Sequence, residues 1–146
     1  MRKYPKKIVN AMTSSRKLEW TLRVGVAGEF VGHGLLAIQG KKEWIGWISQ
    51  MTGADIATST TLLVLIGVVD VLVALTTLFK PLRPVLLWAA FWGFWTALVR
   101  PLVGQSVLDF IERFANFGSP LALFFFYQDK SSKKDPAENS NPMEKI

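Results

Sequence analysis

The sequence predicts an all-α membrane protein: a bundle of four transmembrane helices, with a short interfacial helix between the first and the second. One observation is the distribution of charge, because residues 56–99 contain only Asp70, Lys80 and Arg83 as charged residues, and residues 114–128 contain none. Helices of a soluble domain need charged outer faces, which these stretches lack. The other is that basic residues concentrate in the two tails, as in the cytoplasmic flanks of membrane spans.

Four apolar segments have the length of a membrane span, about 20 residues each. They cover residues 20–40, 58–79, 84–100 and 109–127, within a transmembrane domain of residues 18–128. Pro81 and Pro84 predict a tight turn between the second and third segments. Pro120 predicts a kink in the fourth segment, because it leaves the carbonyl of Asn116 without its helical donor.

A short amphipathic helix is predicted between the first two segments. Its apolar residues recur at helical spacing: Trp44, Ile45, Trp47, Ile48 and Met51. The helix is too short to cross a bilayer. It is either an interfacial helix anchored by its tryptophans or a lid over a cavity.

The two ends of the chain predict the orientation. Residues 1–17 carry six basic residues and no acid, and we expect a retained cytoplasmic tail, because the following segment contains Arg23, Glu29 and His33 and so differs from a signal peptide. Residues 129–146 are polar, and we expect a disordered cytoplasmic tail. With both termini in the cytoplasm, 12 basic residues face inward and four face outward. This predicts a multi-pass protein of the cytoplasmic membrane.

Each predicted span has one inward face of small or polar residues that includes an ionisable group. These faces are Gly25, Gly28, Glu29, Gly32 and His33 in the first span, Thr60, Gly67, Asp70, Ala74 and Thr77 in the second, Ala89, Gly93, Thr96 and Arg100 in the third, and Glu112, Ala115, Ser119 and Ala122 in the fourth. Ionisable residues are costly in a bilayer and are functional candidates by default. If the faces converge, they form a polar pocket that opens outward and binds a ligand or conducts protons. The candidate residues for this site are Glu29, His33, Asp70, Arg100, Glu112, Arg113 and Asn116.

The same charges also fit a purely structural role. Glu112 could pair with Arg100 or Arg113, and Glu29 with His33, four residues further along the helix. We predict no metal site, because the chain has no cysteine, a single histidine and no Glu-x-x-His motif. We expect the tryptophans at 88, 92 and 95 to face lipid or to pack between helices. The short basic tail adjoins a membrane span and predicts contact with lipid, not with nucleic acid.

Two motifs resemble the DoxX-like family of small membrane proteins. Arg23-Val24-Gly25 and Gly32-His33-Gly34 look like the start of such proteins. Glu112-Arg113, Asn116 and then Pro120-Leu121-Ala122-Leu123 look like their closing segment. The resemblance covers residues 18–128 and implies a four-helix integral membrane protein.

Relatives in that family are associated with membrane redox complexes, including quinone-linked ones. The resemblance therefore implies an accessory or quinone-linked component, with quinone as the candidate cofactor and a redox complex as the partner. It identifies no catalytic residue, and whether the chain is an enzyme stays open. Two alternatives remain: a small transporter or proton-coupled carrier, which would need to form a homo-oligomer because four helices are few, and a structural membrane partner.

Overall fold

The protein is all-α in the part of the chain that its structure, a computed structural model, describes. The backbone of residues 6–132 and the side chains of residues 15–131 are described. Six helices follow one another: α1 (Lys6–Ile38), α2 (Lys42–Thr52), α3 (Ile56–Phe79), α4 (Arg83–Leu102), α5 (Val107–Ile111) and α6 (Phe114–Ser132). The all-α class predicted from the sequence is confirmed for these residues.

Local sequence signals explain where the shorter elements begin and end. Gly53 ends α2 in a left-handed conformation (φ 72°), and its N–H donates to the Ser49 carbonyl. The side chain of Asp55 caps α3 by accepting a hydrogen bond from the Thr58 N–H at 2.7 Å. Pro84 lies in the first turn of α4, where its missing N–H costs nothing.

The four long helices form a ring that is loosest between α3 and α4. α1 packs most extensively against α3, and α4 against α6, while α1 also contacts α6. α3 and α4 meet much less closely, and α2 lies against α3. The central core contains mainly small and branched apolar side chains: Val26, Ala27, Phe30, Val73, Ala74 and Ala89.

Two helix crossings depend on glycine. A Cβ atom on Gly67 would lie 2.6 Å from the carbonyl oxygen of Gly34, at the α1–α3 crossing. A Cβ atom on Gly93 would lie 2.6 Å from the carbonyl oxygen of Asn116, at the α4–α6 crossing. Asn116 is the residue whose carbonyl Pro120 deprives of a helical donor. The freed carbonyl therefore faces a glycine on the neighbouring helix.

Residues 6–17 of the predicted basic tail belong to α1. The structure corrects two expectations about boundaries. α6 continues through residues 129–132, which were expected to be disordered. The fourth apolar segment is divided into α5 and α6. Around the break, the N–H groups of Arg113 and Asn116 donate to carbonyls three residues earlier, a tighter turn than an α-helix. Residues 1–5 and 133–146 of the predicted tails lie outside the described residues.

Two of the described helices, α3 and α4, are long and apolar enough to cross a membrane. Only 33% of the most apolar window of each is buried within the protein. The core helix of a soluble protein would be mostly buried, whereas these helices expose leucine, valine and aromatic side chains such as Leu65, Leu72 and Phe91. Both helices therefore have the length, composition and apolar surface that a membrane span requires.

Candidate functional site

A cavity of about 300 Å³ lies where α3 and α4 separate, beneath α2. Its volume is at the lower end of the range for small-molecule sites. Apolar and aromatic side chains form most of its wall: Ala37, Trp44, Trp47, Ile48, Met51, Leu62, Leu63, Ile66, Trp92, Trp95 and Val99. We call it the tryptophan cavity. Its polar lining residues are His33, Thr52, Asp70, Thr96 and Arg100.

Three lining residues carry buried polar atoms with no hydrogen-bond partner among the described residues. They are the Nε1 atom of Trp44, the Oδ1 atom of Asp70 and the Nε atom of Arg100. Asp70 and Arg100 are only 4% and 9% exposed. A buried polar group without a partner costs free energy, so these atoms are available to a ligand that offers matching donors and acceptors.

The two charged groups line different parts of the tryptophan cavity. Asp70 borders Trp92, and Arg100 lies on α4 eight residues beyond Trp92, about 12 Å along the helix. The guanidinium of Arg100 lies 5.1 Å from the ring centre of Trp47, so a cation–π contact joins α4 to α2. The cavity thus offers a cation, a carboxyl group and aromatic faces in one lining.

Helix α2 covers the tryptophan cavity. Trp44, Trp47, Ile48 and Met51 belong to its apolar face, and all four line the cavity. The ring of Trp44 meets that of His33 edge to face at 5.6 Å. No residue of α2 is buried. The geometry therefore matches the lid alternative for this amphipathic helix.

Of the seven predicted site residues, the structure brings His33, Asp70 and Arg100 together in the lining. Glu29 is half-buried and lies within electrostatic range of Arg113 and Asp70, but no hydrogen bond joins it to His33 among the described residues. Asn116 is half-buried and serves the α4–α6 crossing through its backbone.

The expected pairing of Glu112 within the bundle is only partly formed. Its side chain is 61% exposed, and its carboxylate lies 3.3 Å from the guanidinium of Arg113. Arg100 instead stacks on Trp47. Glu112 lies at the C-terminal end of α5, at the break before α6, and its side chain lies at the surface.

The character of the pocket also differs from the expectation. We predicted a polar interior, but the wall of the tryptophan cavity is mostly apolar. Gly25, Gly28 and Gly32, which were expected on the inward polar face of α1, border open space. The tryptophans of α4 were expected to face lipid or to pack. Trp88 and Trp95 are indeed 43% and 36% exposed, but Trp92 and Trp95 also line the cavity.

A second polar cluster, at the other end of the bundle, was missed by the sequence reasoning. Glu19 accepts hydrogen bonds from Arg23 at 2.6 Å, from Lys130 at 2.8 Å and from the hydroxyl of Tyr127. Arg23 also donates to Tyr127 and to the Leu78 carbonyl, so the cluster joins α1, α3 and α6. Its atoms are paired with one another, and we assign it a structural role. The i, i+4 spacing of Glu19 and Arg23 was the available signal.

Glu19 precedes the first apolar segment and is 8% exposed. Burial alone would raise the pKa of Glu19, but the hydrogen bonds from Lys130 and Tyr127 and the charges of Lys130 and Arg23 outweigh it. That pKa therefore lies below its usual value. The carboxylate stays charged and keeps the cluster paired.

Among the described residues, no group of three His, Asp or Glu side chains is arranged to hold a metal ion. No family model, curated protein or solved structure matches the chain. The functional argument therefore starts from the tryptophan cavity.

Proposed function

We propose that the chain is a four-span protein of the cytoplasmic membrane that binds a planar amphipathic molecule, of which quinones are the candidate class, in the tryptophan cavity. The proposed role is that of an accessory component of a membrane redox complex, as the resemblance to DoxX-like proteins implies. The observation that carries the binding proposal is the combination of aromatic walls with the unpartnered buried atoms of Trp44, Asp70 and Arg100.

The chemistry of the lining suits an aromatic ring with oxygen acceptors. Indole faces stack on planar rings, and four tryptophans border the space: Trp44, Trp47, Trp92 and Trp95. The N–H groups of Trp44 and Arg100 donate to a carbonyl oxygen, and Asp70 donates in its protonated form or accepts in its ionised form. His33 supplies a further donor or acceptor beside Trp44.

Four spans fit the packing of the long helices. α1 packs along α3 and α6 packs along α4, so a bilayer crossed by α3 and α4 would also surround α1 and α6. The polar residues Arg23, Glu29 and His33 make the apolar half of α1 less hydrophobic than α3. In the proposed orientation the tryptophan cavity lies toward the outer side and the Glu19 cluster toward the cytoplasm.

Quinone binding tests this proposal directly. The purified protein, in nanodiscs, is titrated with decylubiquinone, and quenching of tryptophan fluorescence is recorded together with the melting temperature. We expect Asp70→Asn and His33→Ala to weaken binding at least tenfold while the melting temperature changes little, because asparagine keeps the shape of Asp70 and both side chains border the tryptophan cavity.

Glu112→Gln is the matched control, since this carboxylate is exposed and does not line the tryptophan cavity. It should bind like the unmodified protein. A lower melting temperature of the Asp70 and His33 variants with unchanged binding would assign both residues to structure and would contradict the proposal.

A proton-coupled carrier is the second candidate, and one observation favours it. Glu29 lies within electrostatic range of both Asp70 and Arg113, so ionisable groups extend from the cavity toward α6. Proteoliposomes carrying an internal pH dye would show proton flux that Glu29→Gln abolishes. The redox proposal expects no such flux.

A further inference from the structure

A second cavity, of about 270 Å³, lies along the boundary of α3 and α4. Its lining residues are Leu62, Leu65, Ile66, Val69, Asp70, Trp88 and Trp92. Four of them, namely Leu62, Ile66, Asp70 and Trp92, also line the tryptophan cavity. The two spaces therefore adjoin each other at Asp70 and Trp92. We call the second one the side groove.

The side groove opens on the flank of the bundle, not at its end. Leu65, Val69 and Trp88 belong to its lining alone, and they are 57%, 45% and 43% exposed. All three lie in the middle or inner half of α3 and α4, the two helices with the composition of membrane spans. In a bilayer this opening faces the hydrocarbon region.

The two cavities differ in the chemistry that they offer. The tryptophan cavity has the unpartnered polar atoms and the cation of Arg100. Apart from Asp70, which it shares, the side groove has only hydrocarbon and indole surface. A single ligand with a polar head and an apolar chain would therefore complement both cavities.

We propose that the side groove holds the hydrocarbon chain of a ligand whose planar head lies in the tryptophan cavity, and that the ligand enters between α3 and α4 from the bilayer. The weak packing of α3 on α4 leaves this route open. The ligand class is a planar, acceptor-bearing head with one alkyl or prenyl chain. This inference rests on the proposed function and adds the position of the chain and the path of entry.

The chain offers a matched pair of substitutions for the test. Val69 lines the side groove, whereas its neighbour Val68 does not, and both side chains are 45% exposed. Val69→Phe adds bulk inside the groove, and Val68→Phe adds the same bulk to the surface beside it. The probes are decylubiquinone and the parent benzoquinone that lacks the chain, each titrated against the protein in nanodiscs by tryptophan quenching, with melting temperatures recorded.

We expect Val69→Phe to weaken decylubiquinone binding at least tenfold and to leave binding of the chain-free quinone unchanged, while Val68→Phe changes neither. Equal effects of Val69→Phe on both quinones, or an effect on neither, would overturn the position of the chain and leave the head site in place. If the unmodified protein binds neither quinone, the proposed function and this inference both fail.

Discussion

Glu19 shows how single side chains hold this bundle together. Its carboxylate accepts hydrogen bonds from side chains of α1 and α6, and Arg23 extends the cluster to the last turn of α3. The side chains of Glu19 and Arg23 are only 10% and 14% exposed. Removing one partner from such a buried pair leaves an uncompensated charge.

We predict that Glu19→Gln lowers the free energy of unfolding by about 3 kcal/mol. A thermal melt in detergent at neutral pH measures this. Glu112→Gln is the control, because its exposed pair with Arg113 should contribute less than about 1 kcal/mol. Equal effects of the two substitutions would show that the Glu19 cluster is no stronger than a surface pair.

The same cluster predicts a dependence of stability on pH. The pKa of Glu19 is lowered in the folded protein, so its contribution is complete above the ordinary value of 4.5 and is lost as the pH falls through the lower, folded pKa. Melting temperatures of the unmodified protein should therefore fall more steeply below pH 4.5 than those of Glu19→Gln. Parallel profiles for the two proteins would contradict this assignment.

At the helix crossings, the closest contacts lie between a glycine of one helix and the backbone of its neighbour. The α4–α6 crossing places Gly93 against the Asn116 carbonyl, which Pro120 leaves without a helical partner. Backbone cannot move aside as a flexible side chain can, so a larger residue must separate the helices. Gly25 is also in a helix but borders open space.

We predict that Gly93→Ala destabilises the protein by about 1–3 kcal/mol, because its new Cβ atom would overlap the Asn116 carbonyl. Gly25→Ala should be neutral or stabilising by about 0.5–1 kcal/mol, because alanine favours a helix and the added methyl group meets no neighbour. Chemical or thermal unfolding of both variants measures the difference. Similar values of the same sign would rule out a close α4–α6 crossing.

For the molecule as a whole, the number of helices that cross the membrane determines on which side each connection lies. Two described helices meet the requirements of length and composition, and four form the ring. A four-span arrangement (α1, α3, α4 and α6) and a two-span arrangement (α3 and α4) differ in whether the α2–α3 connection lies on the same side of the membrane as the end of α6. With four spans, Gly53 and Lys130 lie on opposite sides of the membrane, whereas with α3 and α4 alone they lie on the same side.

We therefore predict opposite sides for reporter fusions placed after Gly53 and after Lys130. Alkaline phosphatase should be active at Gly53 and inactive at Lys130, and green fluorescent protein should give the reverse, as expected from the excess of basic residues in the tails. Activity on the same side at both positions would favour the two-span arrangement and would remove the support for the four-span proposal.

The sequence by itself determined the helical class, the approximate positions of the apolar segments and the small-residue faces of α3 and α4. Of the face expected in α3, Gly67, Asp70, Ala74 and Thr77 are buried, and Thr60 is half-buried. Of the face expected in α4, Ala89, Gly93 and Arg100 are buried, and Thr96 is half-buried. In both helices, most of the remaining positions carry bulky apolar residues, so the small-residue face approaches a neighbour most closely.

Only the tertiary structure decided the faces of α1 and α6. Gly25, Gly28 and Gly32 of α1 were expected inside, but they are exposed, and the buried face of this helix carries Val26, Phe30 and Ala37. Polar and small residues occur on two sides of α1, so periodicity alone cannot choose between them. In α6, Pro120 and Leu123 face the core, while Ala115 and Ala122 do not.

The grouping of residues in the candidate site could likewise be determined only from the tertiary structure. His33, Asp70 and Arg100 lie on three helices, and α2 covers them with its tryptophans. The sequence identified these residues as costly in a bilayer, but their distances depend on how far α3 and α4 separate. That separation is set by the packing of α3 on α1 and of α4 on α6, at glycines far apart in the chain. Contacts between such distant residues leave no periodic signal within one helix.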